Sequence, residues 1–150
     1  MSVHAAYMHL ALIEAQKAKV LGEVPVGAVI VYGDKVIASA HNLREQTNDP
    51  TAHAEVLAMR EAAQVLNSRR LLDCTMYVTL EPCPMCAGAM VMACLGACYY
   101  AANDAKQGCC GSVYDIPEDP AFSHRTKIIG GILEEEAKAL LVDFFSGKRS

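Results

Sequence analysis

No stretch of this chain approaches the ~18 consecutive apolar residues that a membrane span needs; the apolar residues fall in short blocks broken by Gly, Pro, Asp and Asn. A spanning helix is therefore excluded, and no membrane partner is expected. The start, Met1-Ser2-Val3-His4, lacks the basic and then apolar design of a secretion signal. A cytoplasmic location is the default expectation. Basic charge is also scarce: the formal net charge is -4, whereas an extended nucleic-acid interface usually leaves a positive footprint. That leaves room only for a small one, for which Arg69, Arg70, Arg125, Lys127, Lys148 and Arg149 could gather on one face. Internal repeats, linkers and low-complexity tails are missing as well.

What remains is material for one buried core. With 150 residues, 53% of them hydrophobic and 20% charged, the chain reads as a single domain over 1–150. Its cysteines number seven, an odd count that fits no closed disulfide framework and, without a secretion signal, points to a reducing compartment. Cys74, Cys94 and Cys98 lie in apolar runs, where a free thiol acts as a small hydrophobe. Cys109-Cys110 reads as small residues in a Gly-rich turn.

Helical spacing of Ala6, Leu10 and Ile13 predicts an amphipathic helix over Val3 to Leu21, ended by Gly22. Pro25 to Tyr32 and Lys35 to Ala40 read as two strands joined at Gly33-Asp34 in a hairpin. His41 to Thr51 reads as a polar loop, with Asp49-Pro50-Thr51 offering side-chain caps to a helix from Ala52 to Leu66. Thr75 to Leu80 predicts a strand that turns at Glu81-Pro82-Cys83 into a third helix reaching Leu95; Cys98 to Ala102 and Thr126 to Ile129 predict further strands, and Ile132 to Phe145 a closing helix. Within that last helix Phe144 and Phe145 read as core rather than as platforms for stacking. Alternation of strands and helices implies an α/β fold, a three-layer α/β/α sandwich around a five-stranded mixed sheet.

Two segments carry chemistry, His53-Ala54-Glu55 and Pro82-Cys83-Pro84-Met85-Cys86. Together they offer three zinc-type ligands, His53, Cys83 and Cys86, and one carboxylate, Glu55, that is not needed as a ligand. Three protein ligands leave a tetrahedral zinc with an open position for an acidified water, unlike a structural site, whose four positions are filled. His53 opens one predicted helix, and Cys83 and Cys86 sit on the first turn of another, where free N–H groups and the helix dipole favour thiolates. Glu55, two positions from His53, is placed to shuttle the proton of that water.

The H-x-E and P-C-x-x-C pair, with Cys83 following His53 by 30 positions, is the known signature of the zinc-dependent cytidine deaminase superfamily. Beyond it, Glu23 to Val29, Asn48 to Glu55, Tyr77 to Cys83, Asp104-Ala105-Lys106 with Gly108 and Gly111-Ser112, and Leu140 to Phe145 resemble the bacterial tRNA-specific adenosine deaminases nearly end to end. The resemblance implies one Zn2+ per chain and hydrolytic deamination of adenosine to inosine at the wobble position of a tRNA anticodon stem-loop. It also implies catalysis by Glu55, with the backbone N–H groups of Ala54 and Cys83 as donors near the reacting centre. Asn42 would orient the flipped nucleoside, Val26 would pack on the base, and Asp104 and Lys106 would touch neighbouring nucleotides. A homodimer is expected on the same ground.

The sequence departs from that family where Met90 to Ala97 carries no basic residue, which reduces the phosphate contacts available. A deaminase of a free nucleobase or small heterocycle, of guanine, cytosine or triazine type, would use the same zinc and Glu55 without phosphate contacts. A structural zinc module would need a fourth protein ligand, for which His41, His124, Cys109 and Cys110 are the available donors.

Overall fold

The computed structural model describes residues 2–147, so Met1, Lys148 and Arg149 lie outside the described residues. The elements run α1 (Val3–Val20), β1 (Gly27–Tyr32), β2 (Lys35–His41), α2 (Arg44–Thr47), α3 (Ala54–Leu66), β3 (Cys74–Leu80), α4 (Pro84–Met92), β4 (Ala97–Ala102), β5 (Lys127–Ile129) and α5 (Glu134–Gly147). The five strands form one sheet in the order β2-β1-β3-β4-β5. β1 is antiparallel to both β2 and β3, whereas β3, β4 and β5 are parallel. The sheet is therefore mixed, as the sequence implied. The parallel β3–β4 pair needs a crossover, and α4 supplies it.

Alternate residues of each strand sort to opposite faces, and each face has its own helices. Ala28, Ile30, Met76, Val78 and Cys98 pack with Ala54, Ala58 and Met59 of α3 and Ala87 and Met90 of α4. Val29, Val31, Tyr77, Tyr99 and Ala101 pack with Met8, Ala11 and Leu12 of α1 and Ala137 of α5. This is the three-layer sandwich. Burial of two apolar faces at about 25 cal/mol per Å² is the main stabilising contribution.

Some details differ from the sequence reading. In α1 the buried face is Met8, Ala11, Leu12, Ala15 and Ala18, while Leu10 and Ile13 are exposed. The helix carries Ala or a larger apolar residue on nearly every side, so its period is too weak to name the inner face. The loop from His41 contains a one-turn helix, α2, held from outside: Glu23 Oε1 and Oε2 accept the backbone N–H groups of Glu45 and Gln46. Asp49 does not cap α3; its carboxylate accepts the Thr51 N–H and hydroxyl and closes its own turn. His53 is the residue at the N-cap of α3. α4 stops at Met92 because Cys94 turns left-handed, φ 54°, and sends Leu95 into the core.

The register fixes where loops gather. Gly27 pairs with His41, and Ala28 with Val78, so β1 begins and β2 ends at the edge where β3 finishes. β4 finishes there too, Leu80 pairing with Ala102. Val26, Asn42, the Glu81-Pro82-Cys83 turn and the loop from Asn103 therefore leave the sheet side by side.

Candidate active site

At that edge lies a pocket of about 570 Å³, lined by Val26, Asn42, Arg44, His53, Glu55 and Cys83, with Glu81, Asn103 to Gln107, Leu141 and Phe145 around its rim. His53, Cys83 and Cys86 converge on it, their ligand atoms all within 4.8 Å of one another. His53 Nδ1 lies 3.6 Å from Cys83 Sγ and 3.5 Å from Cys86 Sγ. A tetrahedral ion with Zn–N near 2.1 Å and Zn–S near 2.3 Å holds nitrogen and sulfur about 3.6 Å apart, so the donor set fits zinc in kind and in spacing. Pro84 at the start of α4 suits a first turn whose N–H groups are unpaired anyway.

Among the described residues no fourth donor joins this cluster. His41 Nδ1 is instead 2.9 Å from Glu14 Oε1, and His124 Nε2 is 2.8 Å from the Leu95 carbonyl. Cys109 and Cys110 are buried in the loop after β4, where Cys110 bridges to Asp115. A closed, structural zinc site is not what these residues build.

Glu55 stands outside the ligand cluster yet beside it, its carboxyl meeting the Cys86 thiol. Burial pushes that carboxyl up from its usual 4.5 to about 7, and the Cys83 thiolate adds to the rise. The neighbouring Cys86 thiol brings Cys83 down to about 4, helped by His53 and opposed by burial. Cys86 holds its proton far above the usual range, through its hydrogen bond with Cys83, burial and the Glu55 charge. His53 is raised by its contact with Cys83, against the opposing effect of burial.

Asn42 is buried, its Oδ1 accepting the Ala54 N–H at 3.0 Å and its Nδ2 donating to the Val24 carbonyl at 3.2 Å. The Ala54 N–H is thus already engaged. Cys83 is the N-cap residue of α4, so its own N–H precedes the helical ladder. Asp104 and Lys106 both border the pocket. Asp104 Oδ1 also accepts the N–H groups of Lys106 and Gln107 at 3.0 and 3.1 Å, which shapes the loop itself.

Known proteins share this arrangement. The profile of the MafB19-like deaminases matches residues 2–145. The tRNA-specific adenosine deaminase of Bacillus subtilis (strain 168) is 46% identical over 139 residues, spanning 93% of this chain and 86% of that one. The chain belongs to the tRNA-specific adenosine deaminase family. The deaminase also superimposes, with a TM-score of 0.87 and 40% identity, on a structure from work on A-to-I editing by tRNA:A34 deaminases at the wobble position of transfer RNA. That match covers 91% of this chain and 99% of the other. A guanine deaminase from Bacillus subtilis is 43% identical with a TM-score of 0.65, the match covering 69% of this chain and 66% of that one.

Several pocket residues of this deaminase escaped the sequence reading. Arg44 was hidden in what read as loop; it borders the pocket, and its Nε is buried without a hydrogen-bond partner. Phe144 and Phe145 part company: Phe144 is 8% exposed and in the core, while Phe145, 49% exposed, stands on the pocket wall beside Leu141. Helical period alone would have separated the two neighbours by about 100°. The basic residues Arg69, Arg70, Arg125 and Lys127 are exposed but do not line the pocket; Arg44 and Lys106 do.

Proposed function

We propose that this chain binds one Zn2+ through His53, Cys83 and Cys86 and deaminates adenosine to inosine at the wobble position of a tRNA anticodon stem-loop. The single observation that carries the reading is a three-donor cluster with zinc spacing beside a buried carboxyl, Glu55, that is not one of the donors. Near-full-length similarity to a tRNA-specific adenosine deaminase supports the substrate.

Bound zinc would supply one thing, acidification of a water at its open position. The remaining steps belong to the chain. Glu55 would take one proton from the attacking water and deliver it to the ring nitrogen beside the amino-bearing carbon, then take the second proton from the hydroxyl newly formed on that carbon and pass it to the amino group, which leaves as ammonia as the carbonyl forms. Water enters and ammonia leaves, so adenosine becomes inosine. Burial favours the protonated carboxyl in the metal-free chain, and a carboxyl able to hold a proton is what this shuttle needs. Asn42 orients the flipped nucleoside and Val26 packs on the base. Asp104 and Lys106 meet the neighbouring nucleotides. Arg44 and Lys106 supply cations where backbone phosphates would pass, and Phe145 offers a ring for a splayed base. The backbone N–H of Cys83 is a donor at the mouth of the site.

The protein is further proposed to be a single-domain homodimer acting in the cytoplasm. α4 supports the dimer: it carries no charged residue, and Met92 on it is 78% exposed, whereas a helix apolar on all sides is normally covered. No helix among the described residues is long and apolar enough to cross a membrane.

A second reading, turnover of a free purine base, is favoured by the likeness to a guanine deaminase. One experiment separates the two. Zinc-loaded protein is incubated with an anticodon stem-loop carrying wobble adenosine and, in parallel, with free adenosine, guanine and cytosine. Inosine in the stem-loop alone is expected; turnover of a free base with an inert stem-loop would reject the tRNA reading.

A further inference from the structure

Asp104 and Lys106 reach the pocket from a loop with no regular secondary structure, and one side chain from the turn just after β3 holds that loop in place. Glu81 is 2% exposed, and among the described residues no lysine or arginine is paired with it. Its charge is met by N–H and O–H groups instead. Glu81 Oε1 accepts the Asp104 N–H at 3.0 Å, Oε2 accepts those of Cys110 and Ser112 at 3.1 and 3.0 Å, and the Ser112 hydroxyl donates to Oε1. These donors come from both ends of the segment 104–112. Charge-assisted bonds of this kind are about twice as strong as neutral ones, and a fully satisfied buried network rigidifies what it joins.

Its surroundings are built to the same end. Glu81 N–H donates to the Ala102 carbonyl at 2.8 Å, and the Cys109 N–H donates to the Pro82 carbonyl at 2.9 Å, so the residues immediately before Cys83 are stitched to the same loop. Gly108 lies flat against the carboxylate: a Cβ there would stand 2.3 Å from Glu81 Cδ. Only glycine leaves the carboxylate its place.

We propose that Glu81 is a positioning residue that clamps the 104–112 segment to the Pro82-Cys83 turn, setting the distance between substrate-contacting side chains and the metal ligands. It rests on the reading of Asp104 and Lys106 as substrate contacts. Loss of the clamp weakens substrate binding while leaving metal and chemistry in place.

Three variants test it. Glu81→Gln turns an amide NH2 toward backbone donors, Gly108→Ala drives a methyl group into the carboxylate, and Ser112→Ala removes only one hydroxyl and is the mildest. With the anticodon stem-loop, KM rises about tenfold in the first two and less in the third, while kcat stays within about threefold and zinc stays at one per chain. The double variant Glu81→Gln, Gly108→Ala matches the worse single variant instead of multiplying the two, because both break one clamp. Hydrogen exchange at the amides of Asp104, Cys110 and Ser112 quickens in Glu81→Gln, with α4 unchanged. Unchanged exchange at those amides overturns the clamp, as does parallel loss of zinc and kcat. An unmodified chain inert on the stem-loop would overturn the substrate reading instead, and exchange would still decide the clamp.

Discussion

The side-chain oxygen of Asn42 accepts the backbone N–H of Ala54 at 3.0 Å, tying the end of β2 to the residue that separates His53 from Glu55. The His53 imidazole and the Glu55 carboxyl therefore take their orientation from a loop that also borders the pocket. Asn42→Ala would leave a fully buried N–H without its acceptor, and a loss of about 1–3 kcal/mol in stability is expected. Chemical denaturation of the zinc-free protein measures this, and an unchanged midpoint would refute the role.

Glu55→Gln separates proton transfer from metal binding. Loss of a general acid–base is expected to lower kcat by about 10²–10⁴-fold, while the zinc content stays at that of the unmodified protein.

The same substitution has a stability consequence of known sign. Burial raises the Glu55 carboxyl from 4.5 to about 7, so the fold favours the protonated form. The stability tied to it is full below 4.5 and is lost as pH rises through 7. Keeping the carboxylate ionised above that costs about 3 kcal/mol in the metal-free protein. Metal-free Glu55→Gln should therefore be the more stable protein at pH 8, with the difference fading below pH 5. Thermal melts across that range decide it.

Zinc affinity should weaken as pH falls. Cys86 holds its proton far above the usual thiol range and His53 is also raised, yet both must be unprotonated to bind the ion. Each proton displaced changes the apparent affinity by about tenfold per pH unit. Competition against a chelator between about pH 6 and 8 reads this directly; a flat profile would contradict proton release from Cys86 and His53.

Arg44 offers a buried Nε with no partner at the pocket wall. Arg44→Ala is expected to weaken stem-loop binding about tenfold and to reduce the salt dependence of log K by about one. Titrations between about 50 and 200 mM salt test both. Weaker binding with an unchanged slope would mean that Arg44 acts on packing rather than on phosphate.

The donor cluster was legible in the sequence because zinc-type chemistry permits few residue types at fixed spacing: His53, Cys83 and Cys86 lie together as expected. The sheet was legible as well: β-branched runs mark β1, β2, β3 and β5, and the Tyr99-Tyr100 pair between Gly96 and Asn103 marks β4. What the sequence hid depends on partners distant along the chain. α2 exists because Glu23 caps it from outside. The face of α1 is chosen by the sheet beneath it, and buries Met8 in place of Leu10. Glu81 read as one end of a turn, although its carboxylate organises residues up to 31 positions away.

The three donors and the loop bearing Asp104 and Lys106 leave one sheet edge from different strands: His53 follows β2, Cys83 and Cys86 follow β3, and Asp104 and Lys106 follow β4. A scaffold arranged this way separates two tasks. The pocket-facing residues Asp104 to Gln107 shape what a substrate meets, while the donors stand on elements of their own and only the Glu81 clamp joins the two.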